Sequence, residues 1–335
     1  MRPRGRPRVV VLTAGEQPPG LADVESAADV EPVSAAGLPA ALPGADVLLV
    51  WEFLSTAVRE AWPRTGEPSW VHVASAGVDR LLFPELVGSA ATLTNSRGVF
   101  EEPLAEYVLA LVLAHAKQLP ETLALQARRE WRHRDTRRVA DTHALVAGAG
   151  PIGRAIARRL AALDITVRVL GRTPRRDPEL GEIHGSDELP ELLPGTDWVI
   201  CVAPLTEQTH GMFDAAAFER MAAGSYFVNV GRGELVVTKD LVSALCSGHL
   251  GGAALDVFTE EPLPADDELW DVPGLLVSPH MSADTVGWLD HLSAVFTDNF
   301  ARWLSGRPLR NVVDKRLGYV PTSVATGADP RTEMT

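Results

Sequence analysis

The feature that most constrains the fold is a glycine-rich turn between an apolar run and a helical stretch. Residues 143–153 read HALVAGAGPIG, with three glycines in Gly-x-Gly-x-x-Gly spacing. In a strand-turn-helix unit, the first glycine permits the tight turn, the second lets the backbone approach a pyrophosphate, and the third lets the helix pack close to the strand. The helix N-terminus then offers N–H groups to the phosphates. The residues predicted to contact a dinucleotide here are Gly148, Gly150, Pro151, Ile152 and Gly153. A glycine-rich turn without a ligand is the alternative.

Short apolar runs alternate with helical stretches on both sides of this turn. This alternation predicts an α/β fold with doubly wound parallel sheets of the Rossmann or flavodoxin-like type. The expected strands of the first unit are residues 9–12, 47–50, 70–73 and 92–94. Those of the second unit are residues 143–147, 166–170, 198–202, 226–230, 252–257 and 275–278. The expected helices of the second half are residues 152–163, 215–221, 239–246 and 285–304.

A long helical stretch separates the two units. Residues 101–126 place Leu104, Val108, Leu111, Val112 and His115 on one face. The length predicts one helix that bridges two domains or lies in a subunit interface. The arginine-rich segment 128–138 that follows is expected to be solvated surface.

Composition narrows the class of protein. A chain of 335 residues with 46% hydrophobic residues is long enough for two domains. Its net charge of -13 argues against a nucleic-acid binder. The two cysteines, Cys201 and Cys246, allow neither a disulfide framework nor a cysteine metal site, and we expect no metal. Because no apolar run reaches about 18 residues, we expect no membrane contact and place the protein in the cytoplasm.

The end of the strand after the glycine turn distinguishes the two nicotinamide cofactors. An NAD-binding unit would place an acidic residue there to hold the ribose 2′-hydroxyl. This chain instead reads GRTPRR over residues 171–176. Arg172 and Thr173 are candidates to bind a 2′-phosphate. We therefore predict NADP(H) as the preferred cofactor, with NAD(H) as the second choice. Ordinary surface arginines are the other interpretation.

Three polar residues follow predicted strands, at the sheet edge where α/β proteins bind ligands. They are Arg232, Glu261 and His280. A planar guanidinium can bind a carboxylate and polarise a neighbouring ketone. An imidazolium can supply the proton that the ketone oxygen needs after hydride attack, and a carboxylate beside the imidazole favours its charged form. We predict Arg232, Glu261 and His280 as the catalytic set of a 2-oxo acid reductase. Taken singly, each could be an ordinary surface or core residue.

Longer motifs resemble the D-2-hydroxyacid dehydrogenase family over about residues 9–319. Besides the glycine turn, they are CVAPLTEQT at 201–209, NVGRGEL at 229–235, GAALDVFTEEPLP at 252–264 and SPH at 278–280. The resemblance assigns the catalytic roles to the same three residues and selects Glu261, directly before Pro262, rather than Glu260. The GRT at 171–173 is similar to that of the NADP-preferring glyoxylate and hydroxypyruvate reductases of the family.

The resemblance also implies further contacts. Asp256 would hold the nicotinamide carboxamide, and Ala203, Pro204, Thr209 and Val230 would line the dinucleotide. The loop SAGVD at 75–79 is similar to the family's carboxylate-binding loop, which makes Ala76 and Gly77 candidates for substrate binding together with Arg232. Trp51 would shape the substrate pocket or pack in the core.

The family fold implies two α/β domains with the active site in the cleft between them. The substrate-binding domain would be residues 1–98 and 287–320, the dinucleotide-binding domain would be residues 99–286, and residues 321–335 would form a disordered tail. The family also implies a homodimer and a small 2-oxo or 2-hydroxy acid as substrate.

Two other functions stay open at this point. The same fold serves in corepressors that sense a dinucleotide and bind protein partners, and those proteins keep the catalytic triplet. A degenerate family member that binds nucleotide without chemistry is the third interpretation, and the filled catalytic positions argue against it.

Overall fold

The computed structural model describes residues 5–15 and 17–321. Apart from residue 321, the tail predicted to be disordered lies outside these residues. The chain divides into two compact units, one made of the described residues up to Ser96 and from Leu289 on, the other of Arg97–Trp288. The assignment of a substrate-binding and a dinucleotide-binding domain stays a prediction.

The first unit is built on five strands and four short helices in the N-terminal part of the chain. They are β1 (Arg8–Leu12), α1 (Ala22–Ala27), β2 (Asp29–Val33), α2 (Leu38–Ala41), β3 (Val47–Val50), α3 (Ala57–Ala61), β4 (Trp70–Val73), α4 (Pro84–Gly88) and β5 (Thr92–Thr94).

The second unit contains eight strands and six helices. They are α5 (Glu101–Ala116), α6 (Leu119–Arg128), β6 (His143–Ala147), α7 (Pro151–Ala161), β7 (Thr166–Leu170), β8 (Arg175–Asp177), β9 (Gly181–His184), α8 (Leu189–Leu192), β10 (Trp198–Cys201), α9 (Ala215–Arg220), β11 (Tyr226–Asn229), α10 (Thr238–Cys246), β12 (Gly252–Leu255) and β13 (Leu275–Val277). The C-terminal helix α11 (Trp288–Ser305) follows.

The five-stranded sheet is parallel throughout, in the order β2-β1-β3-β4-β5. Side chains of a strand alternate between its two faces. In β1, Val10 and Leu12 join one buried cluster and Val9 and Val11 join another. Because both faces are covered, β3 and residues 9–12 of β1 are apolar throughout, as in the central strands of doubly wound sheets. Trp70 of β4 stacks on Phe296 of α11 at 5.3 Å between ring centroids.

The eight-stranded sheet has the order β13-β12-β11-β10-β6-β7-β9-β8. Only β8, at one edge, runs antiparallel to its neighbour. The strand order reverses between the neighbouring strands β6 and β10: the chain continues from β6 to β7 on one side of this pair and from β10 to β11 on the other. This switch point is where doubly wound sheets bind ligands, at the carboxyl ends of the strands. The α/β architecture with two parallel sheets confirms the predicted fold class.

One expectation about the helices is wrong. The stretch 101–126 forms two helices, α5 and α6, bent by 59°. The break lies at Gln118, which has a left-handed φ of 52°, and α6 begins with Pro120 in its first turn. Proline favours the first turn of a new helix and disfavours the interior of a long one. The hydrophobic face was predicted correctly for Leu104, Val108, Leu111 and Val112, which are all buried.

In the described residues, no single helix is long and apolar enough to cross a membrane. The bent pair of α5 and α6 passes that test together, by length and composition only.

Candidate active site

The glycine turn joins β6 to α7, as the sequence predicts. Gly148 has a φ of 137°, and a Cβ there would lie 2.6 Å from the backbone oxygen of Val202. A Cβ on Gly153 would lie 1.8 Å from the backbone oxygen of Gly148. The fold itself therefore requires these two glycines, the first for its conformation and the second for close packing of helix on strand.

Gly150 differs from them in a way that fits a bound pyrophosphate. A Cβ added at Gly150 would meet no protein atom within 4 Å. Its φ of -76° is ordinary for any residue. No side chain caps the N-terminus of α7, so the first-turn N–H groups of the helix remain available to a ligand. Packing and backbone conformation do not require this glycine, whereas close approach of a dinucleotide phosphate does.

The arginine-rich segment after β7 forms a small hairpin that the sequence analysis missed. Strand β8 pairs antiparallel with β9, with Arg175 opposite Ile183 and Asp177 opposite Gly181. Arg172, Thr173, Arg175 and Arg176 are exposed on this segment. Three guanidinium groups therefore stand at the carboxyl end of β7, next to the glycine turn.

Arg232 lies in the turn that follows β11. Buried Asn229 shapes this turn, because its Nδ2 donates to the carbonyl of Arg232 at 2.8 Å and its Oδ1 accepts from the N–H of Gly231 at 3.0 Å. A Cβ on Gly233 would lie 2.0 Å from the backbone carbon of Phe258. The turn of Arg232 is thus packed directly against the backbone of the loop that carries Glu261. The sequence analysis did not single out Asn229, although it begins the motif that contains the predicted arginine.

Glu261 and His280 form a direct pair. Oε2 of Glu261 lies 2.8 Å from Nδ1 of His280, and Oε1 accepts the N–H of Phe258 at 2.8 Å. The side chain of Glu261 is 12% exposed and that of His280 is 27% exposed. The neighbouring Glu260 is exposed. With Nδ1 committed to the carboxylate, Nε2 is the ring nitrogen left to exchange a proton with another molecule.

The electrostatics of Glu261 favour its ionised form. Burial raises the pKa of Glu261, but hydrogen bonds from His280 and Phe258, with the charges of His280 and Arg232, outweigh it and hold this pKa below its usual value. The carboxylate is therefore charged at neutral pH and stabilises a positive charge on the imidazole.

Asp256 holds the loop that carries His280. Its Oδ1 accepts from the hydroxyl of Ser278 at 2.6 Å and from the N–H of Met281 at 3.0 Å, and its Oδ2 accepts from the N–H of Ser282 at 3.0 Å. His280, in the middle of this loop, has a left-handed φ of 51°, which is costly for a residue with a side chain. The three hydrogen bonds to buried Asp256 compensate for this strain. Ser278 and Ser282 are partners of Asp256 that the sequence analysis did not identify.

The remaining predicted cofactor residues follow β10 and β11. Ala203 and Val230 are buried at the ends of these two strands. The hydroxyl of Thr209 donates to the carbonyl of Pro204 at 2.7 Å and accepts the N–H of Thr206 at 2.9 Å, which closes the loop after β10. These residues lie at the carboxyl edge of the sheet with the glycine turn.

Ala76 and Gly77 lie in the first unit, in the loop after β4. The hydroxyl of Ser75 donates to the carbonyl of Gly77 at 2.6 Å, and Nδ2 of Asn95 donates to the carbonyl of Ala76 at 2.6 Å. Both carbonyls are thus bound to side chains of the same unit. This arrangement fixes the peptide planes of the loop, as a carboxylate-binding loop requires.

Comparison with known proteins identifies the family. Residues 109–282 match the model of the D-isomer specific 2-hydroxyacid dehydrogenase, NAD binding domain. The chain is 30% identical over 283 residues to a glyoxylate/hydroxypyruvate reductase A of Serratia proteamaculans, which covers 82% of the chain and 88% of the relative.

Two solved structures are similar over nearly the whole fold. One is an NADPH-dependent glyoxylate/hydroxypyruvate reductase of Sinorhizobium meliloti in complex with NADP and sulfate, with 30% identity, a TM-score of 0.79 and coverage of 93% of this chain and 100% of that one. The other is a D-isomer specific 2-hydroxyacid dehydrogenase of Xanthobacter autotrophicus in complex with NADPH and MES, with 30% identity, a TM-score of 0.79 and coverage of 94% and 100%.

The glycine turn, the strand order and these matches agree. The chain carries an NAD(P)-binding domain, and it belongs to the family of NAD(P)-dependent D-isomer specific 2-hydroxyacid dehydrogenases.

Proposed function

We propose that this enzyme reduces a short 2-oxo acid of the glyoxylate or hydroxypyruvate type to the D-2-hydroxy acid, with NADPH as the preferred cofactor. The observation that carries the proposal is the pair of His280 and Glu261, joined at 2.8 Å beside the turn of Arg232. The matches to glyoxylate/hydroxypyruvate reductases support the substrate class.

In this mechanism, Arg232 binds and orients the substrate. Its guanidinium pairs with the substrate carboxylate and polarises the adjacent ketone oxygen. The N–H groups of Ala76 and Gly77 bind the same carboxylate. When bound, the reduced nicotinamide supplies a hydride to the carbonyl carbon, so that negative charge develops on the ketone oxygen.

His280 provides the proton that completes the reduction. The protonated ring donates from Nε2 to the developing alkoxide, while Nδ1 keeps its hydrogen bond to Glu261. The carboxylate of Glu261 stabilises the imidazolium before the transfer and fixes the ring in one orientation. In the reverse direction the neutral ring accepts the hydroxyl proton at the same nitrogen.

The cofactor contacts divide between phosphate and nicotinamide ends. We infer that the N-terminus of α7, from Gly150 to Gly153, holds the pyrophosphate, that Arg172 and Thr173 hold the 2′-phosphate, and that Ala203, Pro204, Thr209 and Val230 line the dinucleotide. Asp256 accepts three hydrogen bonds from the loop that carries His280, and its carboxylate oxygens have lone pairs left for the nicotinamide carboxamide.

Two variants test these roles. Arg232→Ala should nearly abolish turnover and leave NADPH binding intact, because it removes the substrate clamp and no cofactor contact. Arg172→Ala should weaken the binding of NADPH much more than the binding of NADH, because only NADPH carries the 2′-phosphate. Unchanged turnover in the first variant, or equal losses for both cofactors in the second, would remove the residue from its role.

We also propose that the enzyme is a homodimer that uses the surface around α6. Leu123 is 65% exposed and Trp131 is fully exposed on this surface. A dimer contact at this surface would bury both side chains. Light scattering after gel filtration should give twice the mass of the chain, and Trp131→Glu should lower it to one chain; a monomeric wild type would refute the proposal.

A further inference from the structure

We propose that Arg154 and Asp177 form a positioning pair that holds the arginine hairpin against the phosphate-binding helix and so sets the preference for a 2′-phosphorylated cofactor. The arginine hairpin is the segment from Gly171 to Gly181 between β7 and β9. This inference rests on the proposed use of NADPH, and it concerns residues that do not themselves touch the cofactor.

The pair joins two segments that are 23 residues apart. Arg154 is the residue directly after Gly153, in the first turns of α7. Its Nη1 lies 2.8 Å from Oδ1 of Asp177, and its Nη2 binds Oδ2 of the same carboxylate. Such a two-bond pairing fixes the plane of both groups. The side chain of Asp177 is only 6% exposed and that of Arg154 is 22% exposed, so water screens this pair little.

Asp177 also closes the hairpin itself. Its Oδ1 accepts the N–H groups of Glu179 and Leu180, each at 3.1 Å, in the turn between β8 and β9. The hydrogen bond from Arg154 is the main cause that holds the pKa of Asp177 far below its usual value, and burial only partly opposes it. The carboxylate of Asp177 is therefore ionised, and it forms its ion pair with Arg154.

The hairpin depends on such an anchor. Strand β8 has three residues, lies at the edge of the sheet and pairs with β9 alone. A short edge strand with exposed side chains has little apolar packing to fix its position. The exposed ion pair of Arg158 with Glu179, at 3.4 Å, contributes little to this anchoring.

The anchored segment carries arginines at the adenosine end of the predicted cofactor site. Nη1 of Arg175 donates to the carbonyl of Thr173 at 3.3 Å. A Cβ added at Gly171 would lie 3.1 Å from Nη1 of Arg175 and 3.2 Å from the Cβ of Ala149. Ala149 belongs to the glycine turn, so Arg175 and this turn lie on either side of the same small space. The guanidinium of Arg175 is thus held beside the phosphate-binding turn. A shift of the hairpin would move Arg172, Thr173 and Arg175 together, away from a 2′-phosphate.

The test is direct binding of two nucleotides that differ only by the 2′-phosphate, adenosine 2′,5′-bisphosphate and 5′-AMP, by calorimetry. We expect the wild type to bind the bisphosphate more tightly. Arg154→Gln should weaken the binding of the bisphosphate by about tenfold or more, which is the equivalent of one well-made hydrogen bond. It should weaken the binding of 5′-AMP by less than about twofold. In kinetics, KM for NADPH should rise while kcat and the constants for NADH stay near those of the wild type.

Three further variants sharpen the test. Arg158→Gln, one turn along α7 and outside the pair, should leave both affinities unchanged. Arg154→Lys should restore part of the lost affinity, because it returns the charge without the two-bond geometry. Asp177→Asn should also weaken the binding of the bisphosphate. Tighter binding in this variant would mean that Asp177 only repels the phosphate, and it would overturn the proposal.

The outcomes separate the two proposals. A wild type that binds both nucleotides equally refutes the NADPH preference, and the positioning role falls with it. A wild type that prefers the bisphosphate, with Arg154→Gln keeping the same preference, refutes the positioning role alone. Equal losses for both nucleotides in Arg154→Gln would assign the pair to general stability of the unit and would also overturn the inference.

Discussion

Replacing Glu261 with Gln removes the negative charge beside the imidazole of His280 and one of two acceptor oxygens. The Gln side chain has the same size, but its single oxygen can accept from either Nδ1 of His280 or the N–H of Phe258, not from both. The lost interaction is a charge-assisted hydrogen bond of 2.8 Å between groups that are both largely shielded from water. Such bonds contribute about 1.5–3 kcal/mol. At about 1.4 kcal/mol per tenfold change in rate, their loss should slow reduction by about 10- to 100-fold.

The direction follows from the mechanism. The ring of His280 donates its proton as an imidazolium, and the neutral amide of Gln no longer stabilises that positive charge. The assay is kcat/KM for reduction of glyoxylate with NADPH. The variant should be slower than the wild type by about 10- to 100-fold.

The chain offers a matched control at the neighbouring position. Glu260 is exposed, and no contact joins it to His280 in the described part of the chain. Glu260→Gln should therefore leave kcat/KM unchanged. A Glu261→Gln variant as fast as the wild type would contradict the reasoning, since the charge beside the ring would then contribute nothing to the reduction.

Three more outcomes follow from the structure. Gly150→Ala should leave the melting temperature unchanged, because a Cβ there meets no protein atom within 4 Å, and should weaken NADPH by about tenfold or more in a binding titration; intact binding would exclude a phosphate at this turn. Gly233→Ala should inactivate the enzyme and cost about 1–3 kcal/mol in urea unfolding, because its Cβ would lie 2.0 Å from backbone; a normal variant would refute the packing argument. Burial lowers the pKa of His72 to about 3 from 6.5, so the unfolded chain binds a proton that the folded one does not. Stability from this residue should fall by about 2 kcal/mol between pH 7 and pH 5, and His72→Gln should remove that difference in urea unfolding; an equal pH slope in both proteins would contradict it.

Much of the fold follows from local sequence patterns. Strands β3, β4 and β5 were predicted to the residue, because each is a short run with little exposure: β3 and β4 are fully buried, and only Thr92 of β5 is half-buried. The glycine turn was also predicted locally, since its three glycines lie within six residues, although the close contact of Gly148 with Val202 comes from a distant segment. Strand β2 was missed because Asp29, Glu31 and Pro32 make it polar, and only its place at the edge of the sheet permits that composition.

Other features depend on contacts between distant segments. Arg232, Glu261 and His280 were found from residue types at strand ends, and the structure brings Glu261 and His280 into direct contact. No local pattern could show that Asp256 binds the backbone of the loop around His280, 25 and 26 residues away. The same holds for Arg154 and Asp177, whose contact exists only because β8 folds back towards α7.

The measurement that tests the central claim most directly is the initial rate of NADPH and NADH oxidation with glyoxylate, hydroxypyruvate, pyruvate and a bulky aromatic 2-oxo acid. The account predicts turnover that is fastest with NADPH and a short acid, and that is lost in Arg232→Ala. A protein that binds the cofactor and turns over none of these acids would contradict the account, and would favour a dinucleotide-sensing role on the same fold.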